Sequence, residues 1–428
     1  MDMTRRLAMQ GALTVASALP LAACATAEAA PAASGSIAPD NEGYWSRIAA
    51  QYDVTDEVTN LENAYWGLMA RPVLDAYIRN TERVNRENSF YARRKYNADM
   101  APIHARVAGL LGTSSAEIVL TRGATEALQG LIGGYRGLKP GDAVMYADLD
   151  YDSMLPAMDT LAEHNGCSVV RLAIPEPVTH DELVAFYTDA LTANPQVRLL
   201  LLTHVSHRTG LVMPIREIVA IAREHGVDCI VDAAHSWGQL DFTVDDLGAD
   251  FVGFNMHKWI GAPLGIGIMY IRKGRLESIA PSISERPEGT GMISDRIHTG
   301  TTNFAASLSV PDALDFHEMV GPANKATRFA YLRNLWVSEM RNDPRLEILT
   351  PDDRRLHAGI TSIRIKGRTS LEDNLALVKT LLDDHGIFTV HRTGVAKGCC
   401  VRVTPSLYNT PQDSLKLVAA LKTILQTT

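Results

Sequence analysis

Cysteine is scarce: five in 428 residues, at Cys24, Cys167, Cys229, Cys399 and Cys400. So few, so scattered, exclude a disulfide framework, and the lack of any C-x-x-C pair argues against a structural zinc site. No basic block occurs. Lys plus Arg number 41 against 49 Asp plus Glu, a formal charge of −8, which argues against nucleic acid as the main partner. Aromatic residues are only 6% of the chain, but hydrophobic residues as a whole reach 46%. That apolar content excludes a disordered or fibrous protein and is enough for two domains with sizeable cores.

A long uninterrupted apolar run is also missing. The best candidate, Leu7 to Leu21, is broken by Gln10, Gly11, Thr14, Ser17 and Pro20 and is short for a span of about 20 apolar residues. Preceded by Arg5 and Arg6 and followed by small residues, it has the three-part layout of a secretory signal. Thr4-Arg5-Arg6 resembles a twin-arginine export signal, with Ala8 where a Phe is common in that pattern. Leu21-Ala22-Ala23-Cys24 resembles a bacterial lipobox, in which Cys24 would be lipidated and tether the protein to a membrane surface without spanning it. A plain signal-peptidase cut within Ala25–Ala30 fits the same composition. Residues 1–34 are therefore expected to be an export signal and tether, and the mature protein to be periplasmic or exported.

From about Asn41 onward, short aliphatic runs alternate with amphipathic stretches of helical length. The runs are Glu117–Leu120, Ala143–Ala147, Cys167–Ile174, Val197–Thr203, Val227–Val231, Phe251–Phe254 and Gly265–Ile271. Helices are expected at Thr125–Tyr135, Ser153–His164, Asp181–Ala193 and Ile215–His225. Strand–helix–strand alternation with near-continuous apolar strands predicts an α/β fold on a mainly parallel sheet covered on both faces. After about Pro311 the pattern changes to one long helix-like segment, Pro311 to Met340, and then a smaller α/β unit. The expected domains are 35–76 packing with the small domain, 77–315 as the large domain and 316–428 as the small one.

In such a sheet, ligands bind beyond the carboxyl ends of the strands. After the first run comes Thr121-Arg122-Gly123-Ala124-Thr125-Glu126, a small-residue turn opening a helix, which can bind phosphate through free N–H groups and a hydroxyl. After Val227–Val231 comes Asp232-Ala233-Ala234-His235; an acid there is costly unless a cation meets it. After Phe251–Phe254 comes Asn255-Met256-His257-Lys258, where a lysine held in a cleft can form a Schiff base. An anion site, a carboxylate for a protonated ring nitrogen and an amine for an aldehyde are together the needs of pyridoxal phosphate. The spacing of His204 and His207 suits neither a strand face nor a complete ligand set, so no metal is expected.

These motifs resemble those of fold-type I pyridoxal-phosphate enzymes, specifically the class V aminotransferase group, which contains cysteine desulfurases and isopenicillin N epimerase-like proteins. The similarity runs from Leu61-Glu62-Asn63-Ala64 to Tyr408-Asn409-Thr410. It is carried best by Asp232-Ala-Ala-His235, by His257-Lys258 before GAPLGIGIMY, and by Arg402 before VTPSLYNT. The resemblance implies a seven-stranded, mainly parallel sheet with helices on both faces plus a smaller C-terminal α/β domain. It implies that Lys258 binds the cofactor and moves the proton at the substrate α-carbon, and that Asp232 keeps the ring nitrogen protonated. His235 and, more softly, His207 would contact the ring, and Tyr151 would stack on it. Ala124, Thr125, Asn255 and His257 would hold the phosphate, which Gly300 and Thr301 would reach from a neighbouring subunit of a homodimer. Asn63 and Arg402 would bind substrate, with Arg402 gripping its carboxylate.

Desulfuration in this group needs a nucleophilic cysteine on a loop over the cofactor. Here HRTGVAKGCCVRV is short, and Cys399 and Cys400 run almost into the strand leading to Arg402, so they read as small buried hydrophobes. The expected function is that of an exported pyridoxal-phosphate enzyme acting on an amino acid or peptide-borne amino acid, as an aminotransferase first. The alternatives are an epimerase, a desulfurase or lyase, or a degenerate binding protein on the same fold.

Overall fold

A computed structural model describes residues 35–286 and 288–427. The apolar runs become β1 (Ile118–Thr121), β2 (Ala143–Ala147), β3 (Ser168–Leu172), β4 (Val197–Thr203), β5 (Asp228–Ala233), β6 (Phe251–Asn255) and β7 (Gly267–Ile271). They form one sheet in the order β1-β7-β6-β5-β4-β2-β3. Strand β7 is antiparallel to both neighbours, and every other adjacent pair is parallel.

The runs are apolar throughout because both sheet faces are covered. Every residue of β2, β6 and β7 is buried. Alternate side chains point to opposite faces, so Leu200 and Leu202 join one core while Leu199 and Leu201 join the other. The covering helices bury one stripe each. In Ile215–Glu224 the buried residues are Ile215, Ile218, Val219 and Ala222, the three-and-four spacing of a helix face. Thr179 and Glu182 cap the start of His180–Ala193 reciprocally.

A second, antiparallel sheet follows, built from β8 (Leu346–Ile348), β9 (Thr361–Ile365), β10 (Val390–Arg392) and β11 (Cys400–Val403) in the order β10-β11-β9-β8. It shares a separate apolar core with helices Pro322–Met340 and Pro411–Gln426. The N-terminal segment is laced to this unit. Thr59 and Asn60 pair with Ile387 and Phe388, Glu62 bridges Thr404, and Glu42 pairs with Arg328.

One expectation needs correction. The segment Pro311 to Met340 is not one helix but two, Val310–Val320 and Pro322–Met340. The expected boundary at 315/316 falls inside the first of them. The chain turns at Gly321 instead, whose φ of +89° lies in the region that only glycine enters without strain. Pro322 then starts the next helix at a position where its missing N–H costs nothing.

Candidate cofactor site

The carboxyl ends of the strands open into a cavity of about 630 Å³. Around it stand Gly123, Ala124 and Thr125 after β1, Tyr151 after β2, His207 after β4, Asp232 and His235 at and after β5, and Asn255, His257 and Lys258 at and after β6. Arg392 and Arg402 reach it from the small domain. Parallel strand order alone brings together groups that lie more than a hundred residues apart in the chain.

The helix Ala124–Gly134 points its N-terminus into the cavity and carries no side-chain cap. Its first N–H, that of Ala124, donates to Asn255 Oδ1 at 2.7 Å. Ala124 therefore does not offer that N–H to a phosphate; it orients Asn255, whose Nδ2 amide is left for a ligand. A Cβ at Gly123 would stand 3.2 Å from Asn255 Oδ1 and 3.3 Å from His257 Cε1, so the absent side chain keeps this corner open. His257 Nδ1 lies 3.0 Å from the Ile266 carbonyl oxygen, which can only accept. Nδ1 is thus the protonated nitrogen, and burial lowers the ring's pKa to about 4.

Lys258 is half-buried, and desolvation lowers its amine to about 7 despite the opposing pull of Asp232. Its Nζ lies 2.8 Å from His235 Nε2. Burial, helped by the Lys258 charge, holds the His235 ring well below the usual imidazole range. Two nitrogens of low basicity therefore share one hydrogen bond, and the neutral amine is a nucleophile. Asp232 is 3% exposed; one carboxylate oxygen accepts from the Ala234 N–H at 2.8 Å. Burial raises its pKa, with Lys258 acting against the shift. Tyr151 is half-buried and meets His207 edge-on, ring centroids 5.4 Å apart.

Arg402 is held by two groups. Its Nη2 lies 2.5 Å from Glu62 Oε1, and its Nη1 donates to the His207 carbonyl oxygen at 2.7 Å. Asn63, expected to bind substrate, is placed elsewhere. Its amide donates to Thr404 O at 2.9 Å and accepts from the Tyr408 hydroxyl, so it fastens the N-terminal segment to the small domain and is not part of the cavity wall. Gly300 and Thr301 are exposed and do not line this chain's own cavity. Cys24 lies outside the described residues. Cys400 is buried and its thiol is pushed up to about 11; neither it nor Cys399 lines the cavity.

Three participants went unassigned from sequence. Glu62 stands beside Asn63 in the quoted motif, and a buried acid next to Leu61 was a signal for a buried cation. Arg392 was quoted within HRTG without a role. Gly67 donates its N–H to His257 O at 2.8 Å, and a Cβ there would stand 1.8 Å from Lys258 O.

Residues 70–414 match the family model described as Aminotransferase class-V. The chain belongs to the class-V aminotransferase family. This class-V protein is 25% identical over 397 residues to isopenicillin N epimerase of Streptomyces clavuligerus, covering 88% of this chain and 97% of that protein. It is 32% identical over 212 residues to a putative L-cysteine desulfhydrase of Oryza sativa subsp. japonica, covering 48% of this chain and 43% of that one. In fold it is similar to the cysteine desulfurase CsdA of Escherichia coli, with a TM-score of 0.75 at 21% identity over 92% of this chain and all of that one. It is also similar to a C-DES variant carrying glycine linked covalently to its pyridoxal-phosphate cofactor, with a TM-score of 0.73 at 21% identity over 87% of this chain and 98% of that one. The fold is that of the fold-type I enzymes, and the family cofactor is pyridoxal phosphate.

The residues present fit that cofactor. Among the described residues, no Lys, Arg or His nitrogen comes within 4 Å of the buried Asp232 carboxylate, which suits a ring N–H. The Nδ1 atoms of His207 and His235 are buried without a partner, and the uncapped helix end suits a phosphate.

Proposed function

We propose that this protein is an exported class-V enzyme that moves a proton at the α-carbon of an amino acid or peptide-borne amino acid, with transamination as the net reaction. One observation carries the reading: a desolvated amine at Lys258, lowered to about 7 and 2.8 Å from His235, in a cavity whose described walls include no thiol. Bound there, pyridoxal phosphate supplies an electron sink next to the amine-bearing carbon. The chain's own residues do the rest. Thr125, the start of its helix and the Asn255 amide bind the phosphate, and Asp232 keeps a proton on the ring nitrogen. Lys258, as a neutral amine, takes the α-proton and returns it, with His235 Nε2 holding the amine in position. Tyr151 and His207 wall the ring from water.

The N-terminal Arg5-Arg6 signal layout supports export. Exposed Gly300 and Thr301, with the exposed apolar side chains of Ile283 and Met292 on the same loop region, support a homodimer. End-to-end likeness to isopenicillin N epimerases favours epimerisation as the second reading. It requires a second proton-carrying group, for which Tyr65 and Tyr151 are the phenols in the cavity wall.

The test is chemical. The purified protein should show absorption at roughly 410–430 nm that borohydride abolishes and Lys258→Ala lacks. In a single turnover without acceptor, release of a keto product supports transamination. Deuterium uptake at the α-carbon with loss of optical purity supports epimerisation instead. Sulfide release from cysteine as the main reaction would overturn both.

A further inference from the structure

Tyr65, Trp66 and Leu264 are exposed by 71%, 46% and 56%, and all three line the cofactor cavity. Apolar side chains gathered in the open around a concave site mark a groove that a ligand covers, or an interface. Here the two segments that carry them are fixed. Ala64 is buried, and the Gly67 N–H donates to His257 O at 2.8 Å, where a Cβ would not fit. Tyr65 and Trp66 thus sit on a segment fastened to the Lys258 loop, and their rings meet edge-on with centroids 5.0 Å apart. Leu264 lies on the turn between β6 and β7. A Cβ on Gly261 of that turn would touch Leu68 O at 3.5 Å, so the turn packs on the segment of the aromatic pair. The result is one apolar rim set in place beside Lys258, which spares a ligand the cost of ordering it.

The charged groups of the wall are spoken for differently. Glu126 pairs with Arg122 and Asp152 with Arg208, while Asp232 is assigned to the cofactor ring. No acid in the described wall is left to meet a cationic side chain. Arg392 and Arg402 enter from the small domain, and the Nε of each is buried without a partner; N–H groups of that kind suit a carboxylate. A ligand that satisfies both parts of the cavity has an acid at one end and an apolar group at the other. A second acid in place of the apolar group would meet the arginines but leave the rim in water.

We infer that Tyr65, Trp66 and Leu264 form the subsite for the substrate's side chain, and that the site favours amino acids with an aromatic or large aliphatic side chain over small or acidic ones. This deepens the proposed function and, as a statement about substrate, rests on it.

The test reads the rim without turnover. Isothermal titration into the protein as purified compares 3-phenylpropionate with propionate and with glutarate. The wild type should bind 3-phenylpropionate at least ~10-fold more tightly than either. Trp66→Ala and Leu264→Ser should each shrink that margin at least ~3-fold; should Trp66→Ala fail to fold, Leu264→Ser and the wild-type ranking decide. In turnover, Trp66→Ala should shift the kcat/KM ratio of L-phenylalanine to L-alanine toward alanine by at least ~10-fold. Light scattering should give the variants the mass of the wild type. Propionate or glutarate bound as tightly as 3-phenylpropionate would overturn the inference, as would a margin that neither substitution moves. A fall in mass on substitution would assign the rim to a subunit contact and overturn it too. The two readings fail separately. A protein that ranks the acids as expected but turns over no amino acid would sink the proposed reaction and keep this subsite; an active enzyme without that ranking would do the reverse.

Discussion

Lys258 should capture pyridoxal phosphate at a rate that rises with pH and then levels off near pH 8. The attacking species is the neutral amine. Burial places the Lys258 pKa at about 7, so about half the amine is neutral at pH 7, against about 0.04% for an ordinary lysine at 10.4. Between pH 6 and pH 8 the neutral fraction climbs from about 0.09 to about 0.91, roughly tenfold, and then has little left to gain; an unperturbed lysine gains about 100-fold and keeps rising. The assay is stopped-flow absorbance after mixing cofactor-stripped protein with pyridoxal phosphate. Rates are divided by those of an Nα-acetyl-lysine ester, to cancel the cofactor's own titration. Neighbouring charges supply the control. Asp232 raises the Lys258 pKa and Arg402 lowers it, so Asp232→Asn should move the midpoint down and Arg402→Met should move it up. A logarithmic rate climbing with unit slope through pH 9 would refute the argument that burial governs this amine.

Three further outcomes follow from the same geometry. Gly67→Ala forces a Cβ to within 1.8 Å of Lys258 O; the shift should cost ~1–3 kcal/mol, read as a lower Tm, and should speed loss of cofactor in dialysis. Lys325, 2% exposed, donates to Trp259 O at 2.6 Å beside the catalytic loop, and burial lowers it to about 7. The unfolded chain binds a proton there up to about pH 10.4 while the folded chain releases it above about 7, so stability should rise with pH across that window and be flat in this term below it. Lys325→Met in cofactor-loaded protein should remove up to ~1.4 kcal/mol per pH unit from that slope, measured by urea midpoints at pH 7, 8 and 9. The Cys399→Ser/Cys400→Ser double variant should keep turnover within about twofold, since neither thiol lines the cavity and a thiol raised by burial is a poor nucleophile; a large loss would restore a cysteine mechanism.

Much of the sheet was readable because its strands are buried on both faces, leaving apolar runs such as Val197–Thr203 with little ambiguity. Asp232, Asn255 and Lys258 stood out for the same reason, as polar groups ending apolar runs. Pairings between distant residues were not readable. Glu62 meets Arg402 across 340 positions and Asn255 meets Ala124 across 131, so the arginine read as free and the alanine N–H as available. Asn63 was assigned to substrate from its motif, but its amide is satisfied by the small domain. The break at Gly321 was hidden because a glycine followed by proline suits a helix start as well as a loop. What Gly300 and Thr301 meet depends on a second copy of the chain, which one chain's sequence cannot position.

The central claim is that Lys258 carries the cofactor in this cavity. Borohydride reduction of the purified protein followed by peptide mass spectrometry tests it most directly. A single phosphopyridoxyl mass on the peptide containing Lys258, absent from Lys258→Ala, is the predicted result. The same mass on another lysine, or none on protein that has been supplied with pyridoxal phosphate, would contradict it.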